Sequence, residues 1–169
     1  MNLEKCGIFC TKYSIFIVSS LIIFFVTGLA MFFYFNKKNV QSKLVVINVL
    51  EPSYYEDCNI KGSINIPFDH LEDTLKTLDK NVQYVLYCSN YACTASHFAV
   101  QAMKDAGFKN VEVLPGGIAA WYQKGLPYDG PAVMEYLNED NQPLIEDENI
   151  VDGLSVEQLF EKLQEFKIL

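Results

Sequence analysis

The 169-residue chain contains no arginine. Its 13 basic residues are all lysines, and 21 acidic residues bring the formal net charge to −8. Proteins that bind nucleic acid neutralise phosphate groups with a basic face. The sequence therefore predicts no nucleic-acid partner, and any anion site in the chain has to work without a guanidinium group.

Cysteine is too sparse and too scattered to indicate a disulfide framework. The total of five is odd, and Cys6 and Cys10 lie apart from Cys58, Cys88 and Cys93. Small secreted scaffolds usually carry an even number of densely spaced cysteines. The sequence therefore predicts free thiols.

One long apolar run lies near the amino terminus. No charged residue occurs over residues 13–36, and the 21 residues of 15–35 are almost wholly apolar. As a helix this run would span about 32 Å, close to the thickness of a bilayer core. A cleaved signal peptide would have a shorter apolar core and a small-residue cleavage site. We therefore predict an uncleaved transmembrane helix over 13–36, preceded by a juxtamembrane segment, 1–12.

The lysines on either side of this run bear on the topology. Lys5 and Lys12 precede it, whereas Lys37, Lys38 and Lys43 follow it. Positive charge close to the membrane marks the cytoplasmic side. The excess of one lysine favours a single-pass membrane protein whose remaining part lies in the cytoplasm, with the lipid bilayer as a partner.

Strand and helix patterns alternate after a short linker, 37–43. Three apolar runs are typical of buried strands: 44–50, 82–87 and 111–114. Three segments have helical spacing: 69–78 with Asp69 as the N-cap, 94–107, and 118–123. The apolar stripe of the middle helix comprises Ala95, Phe98, Ala99, Ala102, Met103 and Ala106. This alternation predicts an α/β fold, a parallel sheet flanked by helices.

Cys88 follows directly on the second predicted strand, and a small polar segment separates it from the next helix. A loop at such a corner can turn backbone N–H groups toward a sulfur, and the helix dipole favours a thiolate there. We therefore predict that Cys88 is a reactive thiol. The expected backbone donors are Ser89, Asn90, Tyr91, Ala92, Cys93 and Thr94.

The last forty residues divide into two parts. Ten acidic side chains and one lysine occur in residues 135–165, so 131–153 is predicted to be a solvated acidic linker. Residues 154–169 have an apolar stripe at helical spacing, and Ser155 with Gln158 forms a capping box. This amphipathic helix has to bury its face against the domain, a partner protein or a second copy.

Several short motifs occur in an order that resembles a single rhodanese domain, the sulfurtransferase fold. They are Glu51-Pro52, Ile60 to Pro67, Tyr87-Cys88 with its loop, Leu114 to Trp121, and Gly125-Leu126-Pro127. The resemblance places the domain at 44–130. Within it, Gly116 and Gly117 are expected to let the backbone approach the loop closely. Rhodanese domains commonly open with a Ser-x-Glu-x-Leu helix, and residues 154–159 resemble that helix displaced to the carboxyl side.

The resemblance implies the chemistry of Cys88. Its thiolate would attack a sulfane sulfur, hold it as a persulfide, and pass it to a thiol acceptor, with no cofactor. The implied donor is a polysulfide, a low-molecular-weight persulfide or a protein persulfide. The basic residue that active members usually carry at the sixth loop position is replaced by Cys93, and the common glycine at the fourth is Tyr91. Thiosulfate, a dianion, would therefore lack a charged partner.

Two other functions stay open on the same residues. Cys93 could resolve an oxidised Cys88, which would make the loop a thiol redox relay or sensor. The domain could also be a catalytically inactive, membrane-tethered interaction module. A zinc site at Cys88, Cys93 and His97 would lack a fourth ligand, so no metal is predicted. A phosphatase would need arginine where Thr94 stands.

Overall fold

The computed structural model describes Met31, residues 43–142 and residues 153–169. The predicted juxtamembrane segment 1–12 and, apart from Met31, the predicted transmembrane helix 13–36 lie outside these residues. Within the described ranges, no helix has the length and apolarity needed to cross a bilayer.

A four-stranded parallel sheet forms the centre of the domain, as predicted. Its strands are β1 (Leu44–Asn48), β3 (Ile64–Asn65), β4 (Gln83–Tyr87) and β5 (Val111–Leu114), in the order β3-β1-β4-β5. Two shorter strands that the sequence did not indicate, β2 (Asn59–Ile60) and β6 (Tyr128–Asp129), pair antiparallel beside it. The carboxyl ends of β1, β4 and β5 therefore meet at one edge, where loops can share a site.

Five α-helices and one short 3₁₀ helix occur in the described residues. The α-helices are α1 (Pro52–Asp57), α2 (Phe68–Leu75), α3 (Ala95–Asp105), α4 (Gly117–Gln123) and α5 (Val156–Glu165), and the 3₁₀ helix is Glu135–Leu137. Helix α1 was not predicted from the sequence; Pro52 lies in its first turn, where proline is well tolerated.

Helices cover the sheet on two faces. On the α2–α3 face, strand residues such as Ile47 and Leu86 pack with Leu71 of α2 and Met103 of α3. On the α4–α5 face, strand residues pack with helix residues that include Trp121. Cys88 belongs to the core of the α2–α3 face.

Helix α5 is part of the domain core. Leu159 and Leu163 are completely buried, and the ring of Phe160 lies edge-on to Trp121 with centroids 6.1 Å apart. Just before the helix, the Leu154 N–H donates to the Val113 carbonyl of β5 at 2.8 Å. The predicted capping box between Ser155 and Gln158 is present.

The buried face of α3 differs from the predicted stripe. Phe98, expected in the core, is 63% exposed. The helix instead buries Ser96, Ala99, Val100 and Met103. The buried positions are thus shifted by about one residue from the predicted stripe. This places Ser96 inside, where its hydroxyl lies 3.2 Å from the Cys88 sulfur.

Two boundaries also differ from expectation. Helix α2 begins at Phe68 with Pro67 as its N-cap, and Asp69 makes no side-chain capping bond. Part of the predicted acidic linker packs on the domain, because Leu137 is completely buried. The Gln123 amide donates to the carbonyls of Leu137 and Glu139, at 3.0 and 2.9 Å. The sequence did not indicate this burial, because Leu137 is a single apolar residue in a mostly acidic segment.

Candidate functional site

Cys88 lies at the floor of the loop that joins β4 to α3. Its side chain is completely buried. The Sγ–H donates to the carbonyl of Cys93 at 3.0 Å, and Sγ lies 3.2 Å from the Ser96 hydroxyl. The carbonyl of Asn90 is also near, at 3.8 Å. The predicted thiol is therefore at the corner expected from the sequence, and the loop closes over it.

The start of α4 fixes the base of this loop. The N–H groups of Ile118 and Ala119 donate to the carbonyls of Cys88 and Ser89, each at 2.9 Å. Gly117 has a positive φ of 57°, and a Cβ atom there would overlap the Cys88 carbonyl oxygen. The close approach expected at the glycine pair is therefore present, and glycine is required at position 117 for both conformation and space.

Asn141 ties the loop to the segment that follows the 3₁₀ helix. Its Oδ1 accepts from the Tyr91 N–H at 2.9 Å, and its Nδ2 donates to the Gly116 carbonyl at 3.0 Å. The amide thus bridges the outer part of the loop and the start of α4. Sequence reasoning missed this residue because no local pattern distinguishes it in an acidic stretch.

The second loop cysteine has a more open position. Cys93 is partly exposed and lies two residues before α3. The Cys88 thiol, the Ala95 N–H and the N–H and hydroxyl of Ser89 favour its thiolate form, whereas burial opposes it. These donors, the Cys88 thiol first, hold the pKa of Cys93 well below its usual range.

The pKa of Cys88 moves the other way. It is raised first because its thiol donates to Cys93 and then because the group is buried. The Ser96 N–H and hydroxyl oppose this rise but do not outweigh it. The two thiols therefore titrate as one pair, in which the pKa of the partly exposed Cys93 is lowered and the pKa of the buried Cys88 is raised.

The backbone N–H groups of residues 89–94 were expected to face the Cys88 sulfur, but several of them have other partners. The Tyr91 N–H is used by Asn141, and the Cys93 N–H closes a turn on the Asn90 carbonyl at 3.2 Å. The Ser89 N–H contributes to the lowered pKa of Cys93 rather than to that of Cys88. The turn reverses the chain direction and carries these groups away from the floor of the loop.

The remaining predicted donors, Ala92 and Thr94, show no hydrogen bond to Cys88. Ala92 is exposed in the turn, and Thr94 is the N-cap of α3 without a side-chain capping bond. The polar side chain next to Cys88 is instead Ser96, whose hydroxyl oxygen lies 3.2 Å from the sulfur. Ser96 was not among the predicted donors, although its place in the first turn of the helix after the loop is a signal that could have indicated it.

The other thiol of the domain offers no comparable chemistry. Cys58 is completely buried, and burial raises its pKa to about 12. Among residues 43–142 and 153–169, no three histidine, cysteine or acidic side chains come together as metal ligands. Both ring nitrogens of His97 are buried without a hydrogen-bond partner. The chemistry that the described site supports is therefore that of the thiol pair Cys88 and Cys93.

Comparison with known proteins agrees with this architecture. The rhodanese-like domain family model matches residues 34–124, just over half of the chain. The BH2092 protein of Bacillus halodurans has a similar structure, with a TM-score of 0.50 and 26% identity over 68% of this chain and 87% of that one.

Two curated relatives carry different names. The HTH-type transcriptional regulator Rv0324 of Mycobacterium tuberculosis is 31% identical over 55% of this chain and 41% of its own length. YrkF of Bacillus subtilis, named as a candidate sulfur carrier protein, is 28% identical over 52% of this chain and 46% of its own length. The chain thus spans less than half of these relatives. On the match to residues 34–124, the chain belongs to the rhodanese-like domain family.

Proposed function

We propose that the domain transfers sulfane sulfur, with Cys88 holding the sulfur as a persulfide and a thiol as the final acceptor. The observation that carries this proposal is the position of Cys88, a thiol at the end of β4 on the amino end of α3, in contact with the Ser96 hydroxyl. The family assignment and the name of the YrkF relative support the same reaction class.

The charges around the loop favour particular donors. No lysine or arginine occurs between Lys80 and Lys104, so the loop itself supplies no cation. A dianion such as thiosulfate gains most of its binding from charge-assisted hydrogen bonds. We therefore propose a polysulfide, a low-molecular-weight persulfide or a protein persulfide as the donor.

Mass spectrometry of the full chain tests the proposal. The protein is exposed to inorganic polysulfide or to thiosulfate, alkylated and digested with trypsin. We expect polysulfide to add one sulfur atom to the peptide 81–104, which contains both loop cysteines. The double variant Cys88→Ser/Cys93→Ser should show no gain on this peptide. Equal loading by thiosulfate would contradict the proposed choice of donor.

The contact between the two thiols favours a second candidate, a thiol redox relay or sensor. A mild oxidant would then join Cys88 to Cys93 as a disulfide, which a thiol reductant reopens. The same peptide would lose two hydrogen atoms rather than gain sulfur. If the peptide stays unmodified under polysulfide, thiosulfate and oxidant, the remaining candidate function is the catalytically inactive interaction module.

We also propose that residues 13–36 anchor the protein in a membrane, with the domain on the cytoplasmic side. The apolar length of this run and the lysines that follow it support the proposal. The full chain should remain with membranes after alkaline carbonate extraction, whereas a variant that lacks residues 1–40 should be released. Release of the full chain by carbonate would rule out the anchor.

A further inference from the structure

The two loop thiols differ in access from solvent. Cys88 is completely buried, and its sulfur is enclosed by the carbonyls of Cys93 and Asn90 and by the Ser96 hydroxyl. Cys93 is partly exposed on the outer side of the same loop. A sulfur donor in solution therefore meets Cys93 before it can meet Cys88.

The loop also supports negative charge on Cys93. Cys93 lies two residues before the eleven-residue helix α3, whose amino end favours negative charge. The N–H groups of Ala95 and Ser89 contribute to lowering its pKa. The Cys88 thiol lies against the same residue, because its Sγ–H donates to the Cys93 carbonyl at 3.0 Å. The thiolate is the nucleophilic form of cysteine, so the exposed thiol is also the one prepared to attack.

From this arrangement we infer that Cys93 is the entry thiol of the loop, which captures sulfane sulfur from a low-molecular-weight persulfide and passes it inward to Cys88. This inference rests on the proposed function, sulfur transfer through Cys88, and assigns a role to the residue that replaces the usual basic group. The buried thiol then stores the sulfur, and the exposed thiol exchanges it with solution.

The first step forms one bond and breaks one. The Cys93 thiolate attacks the outer sulfur of a persulfide R–S–SH, so that a bond forms between Cys93 Sγ and that sulfur. The bond between the two donor sulfurs breaks, and R–S⁻ leaves. The donor is reduced to a thiolate, and Cys93 is oxidised to a persulfide.

The second step moves the sulfur inward. The Cys88 thiol attacks the outer sulfur of the Cys93 persulfide, and its proton passes to Cys93 Sγ as the bond between Cys93 Sγ and that outer sulfur breaks. Cys88 becomes the persulfide, and Cys93 leaves as a thiol. The Cys88 Sγ–H already faces residue 93, because it donates to the Cys93 carbonyl at 3.0 Å. No external oxidant or reductant is needed.

A time course with glutathione persulfide on the full chain tests the order of the two steps. Samples are quenched by alkylation, and fragment ions of the peptide 81–104 distinguish sulfur on Cys88 from sulfur on Cys93. Cys58 provides a matched control in the same sample, because it is equally buried but has no neighbouring thiol among the described residues. It should stay unmodified throughout.

We expect the extra sulfur on Cys93 first and on Cys88 later. In Cys88→Ser the sulfur should accumulate on Cys93, and in Cys93→Ser the loading of Cys88 should slow by about tenfold or more, because the buried thiol then depends on opening of the loop. Cys93→Ala serves as a second variant, and emission from the buried Trp121 reports whether each variant is folded.

Three results would overturn the inference. Loading of Cys88 at the wild-type rate in Cys93→Ser would show direct entry, and the proposed function would survive. Formation of a Cys88–Cys93 disulfide with release of hydrosulfide would replace inward transfer by the redox relay. Absence of sulfur on either cysteine of the wild-type protein would remove the proposed function itself.

Discussion

The two faces of the sheet obtain their helices from different parts of the chain. The α2–α3 face is covered by helices that directly follow β3 and β4, and it carries Cys88. The α4–α5 face is completed by α5, which is separated from the last strand, β6, by residues 130–155. The face with the thiols is thus built from local sequence, whereas the opposite face depends on a distant segment.

Removal of residues 153–169 tests this dependence most severely. Leu154, Val156, Leu159 and Leu163 are buried in the α4–α5 core, and each buried side chain of this size contributes about 1.5–3 kcal/mol. Their sum approaches the whole stability of a typical domain, about 5–15 kcal/mol. We expect the truncated chain to show no cooperative thermal transition by circular dichroism.

The control for this truncation is Glu161→Ala, a change on the exposed side of α5. It should leave the melting temperature of the full chain close to that of the wild type. A truncated chain that also melts like the wild type would mean that α5 serves a partner protein or a second copy rather than this domain.

Matched substitutions on the two faces measure whether both faces belong to one cooperative unit. Leu159 and Met103 are both completely buried, one on each face. Replacement of either residue by alanine should lower the free energy of unfolding by about 2–5 kcal/mol because it leaves a cavity. Phe98→Ala, at a side chain that is 63% exposed, should change it by about 0.5 kcal/mol or less.

Urea denaturation followed by circular dichroism provides these values. Two separate transitions in the wild-type protein, one sensitive to Leu159→Ala and the other to Met103→Ala, would show that the faces unfold independently. A single transition shifted by both substitutions is the expected result.

Gly117 connects the α4–α5 face to the loop, and its replacement should have a smaller effect. In Gly117→Ala the new Cβ would meet the Cys88 carbonyl at a positive φ, which should cost about 3 kcal/mol from strain and overlap. Gly125→Ala is the matched control, because φ is also positive there but nothing lies near the new atom. It should cost about 1 kcal/mol.

Thermal unfolding of the two variants measures these two losses of stability. Alkylation of Cys88 by iodoacetamide in the folded protein should also become faster in Gly117→Ala, because the loop loses its close support. Equal losses of stability in the two variants would show that the backbone conformation matters and the contact with the loop does not.

Asn141→Ala is the mildest change at the same junction. It removes the bonds to the Tyr91 N–H and the Gly116 carbonyl, with an expected loss of about 1–2 kcal/mol. Alkylation of Cys93 should become faster as the loop loosens. Asn138→Ala, at an exposed neighbouring position, is the control. If the two variants react at the same rate, Asn141 does not position the loop.

Local patterns were sufficient to predict the sheet and the position of Cys88. Buried strands of β-branched residues and a helix directly after a polar loop identify the α2–α3 face from sequence alone. The capping box at Ser155 was equally clear, because capping depends on neighbours only a few residues apart. Predictions of this kind use contacts that are local in the chain.

The donor arrangement of the loop could not be predicted in the same way. Whether the Tyr91 N–H faces a sulfur or Asn141 depends on a side chain fifty positions away. The burial of Leu137 and the exposure of Phe98 likewise depend on tertiary packing, and the short strands β2 and β6 pair across almost seventy residues of chain. The inference about Cys93 likewise depends on the different exposure of the two thiols, which no sequence pattern indicates.

The late position of α5 has a consequence for how the protein is made. Residues 43–130 leave the ribosome with every strand of the sheet already present, but the α4–α5 face keeps its apolar side chains uncovered until residues 154–163 have emerged. The completed domain therefore forms only after residues 154–163 have been synthesised, by a contact between segments far apart in the chain, which is a slow class of folding step. During that interval the nascent chain presents an open hydrophobic surface, the kind of surface that chaperones bind.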